Sequence, residues 1–155
     1  MSLGLLLLFL HITTMIAAAT VSYGPALMFH LARRTNQVAT IRAFAAPTVL
    51  GPAIPILYVI GGLFGLFTAI NFGFNLLAPW LVIAYAQWVV AMLTGVAIHR
   101  PFSLRAFAAL SAAPDGPVGP DVAAVLDEPR ERAAYWLDYL IILGLLFDMV
   151  VKPFS

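Results

Sequence analysis

Charged side chains are missing from two long stretches of this chain. None occurs between Ser2 and Leu31, and none between Ala43 and Ile98. A helix needs roughly 20 apolar residues to cross the hydrocarbon core of a bilayer. The first stretch, "SLGLLLLFLHITTMIAAATVSYGPALMFHL", therefore predicts one long tilted helix, with a kink near its far end where Gly24-Pro25 removes a hydrogen bond. The second stretch must hold two helices. "PTVLGPAIPILYVIGGLFGLFTAI" is one and "PWLVIAYAQWVVAMLTGVAIH" the other, with "NFGFNLLA" as the turn between them. A fourth span, "AAYWLDYLIILGLLFDMVV", follows a polar segment. The pattern predicts an all-α integral membrane four-helix bundle in one domain, with spans near 2–31, 47–70, 79–99 and 133–151.

Composition agrees. The chain of 155 residues is 63% hydrophobic and 10% charged, where a soluble domain carries about 25% charged residues. The net charge of +1 gives no reason to expect nucleic acid as a partner, and the absence of cysteine excludes disulfides and thiolate chemistry. The N-terminal run has no basic leader and is too long for a signal peptide, so it reads as an uncleaved first helix.

Orientation follows from where lysine and arginine fall. Arg33, Arg34 and Arg42 follow the first span, and Arg100, Arg105, Arg130 and Arg132 follow the third. The turn between spans two and three has none, and the C-terminal end has only Lys152. Both basic segments then face the cytoplasm and both termini face outward. The cytoplasmic loop 100–132 contains an amphipathic stretch, "RPFSLRAFAALSAA", suited to the membrane surface. After it come a "PDGPVGP" linker and a short helix that Asp121 would cap. The loop reads either as a solvated connector or as a docking site for a cytoplasmic partner.

In lipid, helices approach where small residues let them. Gly61, Gly65 and Ala69 repeat every four residues on span two, so this helix should pack centrally or form a homodimer. Span one offers Ala17, Ala18, Ala19 and Ser22 in return. Trp80 and Trp136 fall at opposite interfaces, as an aromatic belt would place them.

Few side chains carry chemistry. Asp148 and Lys152, at i and i+4, predict an ion pair that anchors the last helix at the outer interface, or a way in for protons or ions. Asp138 predicts an ion pair with Arg42 or Arg132, or the inner end of a proton path ending at Asp148. The two aspartates are ~15 Å and about 80° apart around the helix, which argues against one shared face. His11 lies ~12 Å into span one, where ionisable groups face the bundle interior. Thr13, Thr14, Tyr85 and Gln87 are its candidate partners. It can tie helices together, bind haem or a metal, or handle protons. His30 and His99 end spans one and three at the same depth and could share a metal or an axial haem. Asn71 and Asn75 read as turn residues. "GGLFG" has no preceding strand and is no phosphate loop, and no hydrolase, kinase or nucleotide motif occurs.

The Leu10-His11 dipeptide, the glycine-rich second span, "APW" before the third and the terminal "MVVKP" together resemble one family. It is a group of bacterial four-helix inner-membrane proteins of unknown function, distantly similar to the copper-resistance D family and to the J-type protoporphyrinogen oxidase. That second likeness implies a haem b held between a helix-one histidine, here His11, and a helix-three lysine. The third span contains no lysine. Two functions are therefore expected in competition. One is a non-enzymatic membrane component or assembly subunit. The other is a haem- or metal-binding redox protein using His11 or the His30/His99 pair.

Overall fold

A computed structural model describes residues 2–45 and 53–152. The part of span two expected over 47–52 lies outside the described residues. Among the described residues seven α-helices follow one another: α1 (Leu3–Arg33), α2 (Val38–Ala45), α3 (Ala53–Asn71), α4 (Pro79–Thr94), α5 (Arg100–Ala112), α6 (Pro120–Leu126) and α7 (Pro129–Val151). A π-helical turn, Gly95–His99, joins α4 to α5 without a break. The described residues are all-helical, and four helical stretches are long and apolar enough to cross a membrane. Only 11–22% of their apolar windows is buried within the protein. Most of their Leu, Ile, Val and Phe side chains point outward, as a lipid-facing surface requires.

Local chemistry sets the helix ends. Ser2 accepts a hydrogen bond from the Leu5 amide and caps α1. Pro79, Pro120 and Pro129 open α4, α6 and α7, where the missing N–H costs nothing. The α3–α4 turn is closed by the Asn75 Oδ1, which accepts from the Leu77 amide at 3.0 Å. Asn75 is thus the turn residue its type suggests.

The helices pack as two antiparallel pairs, α1 with α3 and α4 with α7. The glycine stripe drives the first pair. A Cβ on Gly61 would come within 2.7 Å of Met15 Sδ, and one on Gly65 within 2.8 Å of the His11 ring. Ala69 is buried as well, beside Trp80 and Leu81. The stripe expected either to pack centrally or to form a homodimer is thus covered by the chain itself, its glycines by α1 and Ala69 by the start of α4. In the second pair, Gln87 of α4 fills the space over Gly144 of α7. The pairs join through Trp88, whose indole N–H donates to the Tyr58 carbonyl at 3.2 Å, and through aromatic contacts between α1 and α7.

One end of the bundle brings together Ser2, the α3–α4 turn and Lys152, so the described chain ends lie side by side. The other end is unlike the connector expected over 100–132. α4 continues through the π turn to Ala112 as one 34-residue helix, Pro79–Ala112. Phe102, Ala106 and Leu110, the apolar stripe of α5, face Val38 and Ile41 of α2 and Val122 and Leu126 of α6. The amphipathic stretch is therefore satisfied by protein, and a small core stands beyond the spans. Arg42 clamps it, donating to the carbonyls of Leu110 and Ala113 at the open end of α5 and pairing with Asp115. Asp121 does not cap α6; Gly119 holds that position and the Asp121 side chain lies in the first turn.

Candidate functional site

The most polar point within the four long helices lies where the π turn meets α7. His99 Nδ1 is 2.8 Å from Glu131 Oε1, and its Nε2 is 2.8 Å from Asp138 Oδ2. Thr94 Oγ1 donates to the other Asp138 oxygen at 2.9 Å. Asp138 and Thr94 are buried, and His99 and Glu131 are largely covered.

The backbone explains how one carboxylate collects both partners. In a regular α-helix, Thr94 and His99, five residues apart, would diverge by about 140°. The wider i→i+5 turn over Gly95–His99 swings them back toward one side, where both meet Asp138. Gly95 is not required for space in this turn, since a Cβ there would meet nothing.

Hydrogen-bond bookkeeping fixes what the site must hold. A neutral imidazole has one N–H, yet each ring nitrogen here faces a carboxyl oxygen. Either the ring is an imidazolium donating to both carboxylates, or one carboxyl is itself protonated and donates to the ring. In both arrangements the three groups share a proton beyond those of a neutral histidine between two carboxylates. Glu131 Oε2 is buried without a partner, which leaves one acceptor open.

Four tyrosines are grouped near the cluster. Tyr135 stands one turn after Glu131, and its hydroxyl is 3.0 Å from that of Tyr139. The Tyr139 ring packs 6.1 Å from Tyr23 of α1, and Tyr58 of α3 lies beside Tyr23 and Ser22. Farther along the α4–α7 pair, Gln87 Oε1 and Tyr85 Oη of α4 and Asp148 Oδ2 of α7 are buried without partners.

The remaining sequence candidates fall elsewhere. Asp138 meets neither Arg42 nor Arg132; His99 takes the place of both because Arg42 is engaged at the end of α5. Asp138 and Asp148 are both buried despite the angle between them, since an inward stripe is wide enough to include positions 80° apart. Asp148 and Lys152 form no ion pair. The helix ends at Val151, Lys152 turns left-handed at φ 47°, and its ammonium sits 4.5 Å from the Phe74 ring and 5.6 Å from the Trp80 ring. Leaving the helix removes the i, i+4 geometry on which the pair depended.

His11 bonds none of its expected partners. Its Nδ1 lies 2.7 Å from the Gly61 carbonyl oxygen, while Thr14 bonds back to Leu10 and Thr13 is exposed. His30 packs on Tyr135 at 4.9 Å between ring centroids, so His30 and His99 have different partners rather than a common one. A haem between His11 and α4 does not fit the residues present. α4 has no lysine, and α1 lies so close to α3 that the His11 ring already fills the space over Gly65. Among the described residues, no group of three or more His, Asp or Glu is arranged to hold a metal ion.

Sequence reasoning named His99 and Asp138 separately but missed Thr94 and Glu131. Depth was the usable signal, since antiparallel helices place the end of span three beside the start of span four. No protein family, curated protein or solved structure shows detectable similarity to the chain.

Proposed function

We propose that this chain is a non-enzymatic, multi-pass component of a bacterial inner membrane, with both termini outside, whose His99–Glu131–Asp138 cluster takes up a proton and passes it on. The observation that carries the reading is the imidazole held at 2.8 Å by a carboxylate on each side. Ionisable groups within spanning helices are costly, and they mark ion and proton routes more often than structure requires. A structural tie would need one hydrogen-bonded pair; three titratable groups gathered where a π turn meets α7 make a site that gains and loses protons as a unit. Tyr135 and Tyr139, whose hydroxyls lie 3.0 Å apart on α7, would serve as relay groups. The haem reading has less support, because His11 lacks a second ligand and both nitrogens of His99 are engaged.

Purified protein in vesicles loaded with a pH-sensitive dye tests this. An imposed proton gradient should collapse faster than in protein-free vesicles, and His99→Gln or Asp138→Asn should slow the collapse at least tenfold. Wild-type flux equal to that of empty vesicles would overturn the reading.

A further inference from the structure

At the basic end of α1, a shallow depression of about 370 Å³ is lined by His30, Arg33 and Arg34. Its three side chains are not equivalent. Arg33 is tied to Asp127 of α6, and His30 is seated on Tyr135. Arg34 is exposed and has no carboxylate partner among the described residues. Neutralising the end of α1 calls for cations, but it does not call for a depression lined by them.

What lies below the depression identifies its occupant. Leu27, His30, Leu31 and Arg34 stand at i, i+3, i+4 and i+7, on one face of α1. Leu27 and Leu31 are 51% and 45% exposed, so an apolar track runs from the cationic depression down the helix toward the bundle middle. A soluble anion has no use for that track. A phospholipid does, with its headgroup in the depression and an acyl chain along the two leucines. We infer that this face of α1 is a binding site for one anionic phospholipid, its phosphate held by Arg34 and His30, with Arg33 fixed behind them by Asp127. Basic pockets at the ends of spanning helices suit anionic headgroups in general; here the head and tail sites share one helix face.

Native mass spectrometry of protein extracted from nanodiscs made with equal phosphatidylglycerol and phosphatidylcholine of matched chains tests the site. Wild type should retain the anionic lipid preferentially. Arg34→Ala should reduce that preference about fivefold, the effect of one surface arginine, and His30→Ala/Arg34→Ala further. Arg130→Ala, an exposed arginine outside the depression, should not change it. Leu27→Gln/Leu31→Gln should weaken retention with the cations intact, which separates a lipid from a free anion. Equal retention by wild type and Arg34→Ala would overturn the proposal. So would displacement of the bound lipid by excess inorganic phosphate with the leucine variant unaffected.

Discussion

At the scale of single residues, the structure separates two carboxylates that look alike in sequence. Asp138 is buried with two partners, Asp148 with an oxygen that has none. Their substitutions should therefore differ in sign. Removing His99 leaves Glu131 and Asp138 without the ring that bridges them, a loss of about 3–5 kcal/mol for a broken buried pair. Thermal unfolding of His99→Leu in detergent should show it, and His99→Leu/Asp138→Leu should recover most of it. If the double variant is no more stable than the single, the cost does not come from the carboxylate left without its partner. Asp148→Asn, in contrast, removes a poorly satisfied acceptor and should leave stability unchanged or raise it by about 1–3 kcal/mol. A double-mutant cycle between Asp148 and Lys152 should give coupling below about 0.5 kcal/mol. Coupling well above that would restore the ion pair that the spacing in sequence suggests. That pair misled because i, i+4 neighbours face each other only while the helix continues, and nothing in "MVVK" announces a left-handed residue at Lys152.

Among the elements, the small-residue stripe on α3 was legible and its destination was not. Gly61, Gly65 and Ala69 say that something must come close, and they are silent on whether it is another part of the chain or a second copy. The contacts with Met15 and His11 assign it to α1. Leucine at Gly65 must displace the His11 ring, and overpacking of this kind costs about 1–3 kcal/mol. Gly65→Leu should accordingly lower the unfolding midpoint of the protein without changing its oligomeric state by light scattering. A variant that kept the midpoint and lost an oligomer would return the stripe to a dimer interface. The π turn was illegible for a related reason. Hydropathy sees "TGVAIHR" as the tail of an apolar helix, and one residue of extra pitch leaves no trace in it. The candidate site depends on that turn, so the site was readable as two separate residues and not as a cluster.

For the whole molecule, the four apolar stretches were plain in the gaps between charges, because a bilayer tolerates few charges within a span. The small core at the basic end was not, because α2, α5 and α6 are short and bury scattered apolar residues, such as Val38, Phe102 and Leu126, that form no long apolar run. That end also bears on orientation. Six of the seven acidic residues lie from Asp115 onward at the same end as seven of the eight basic ones, so net charge gives no direction there. The proposed orientation, with this end in the cytoplasm, therefore rests on lysine and arginine alone. The chain's lack of cysteine makes the test clean. Ser2→Cys and Asp115→Cys, both at exposed positions, mark opposite ends of the bundle. In intact cells a membrane-impermeant maleimide should label the cysteine at position 2 and spare the one at position 115 until the membrane is opened. The reverse pattern would invert the protein and put His99, with its two carboxylates, at the outer face. Its proton would then be drawn from the periplasm, and any flux through the tyrosines would have to run inward from that side.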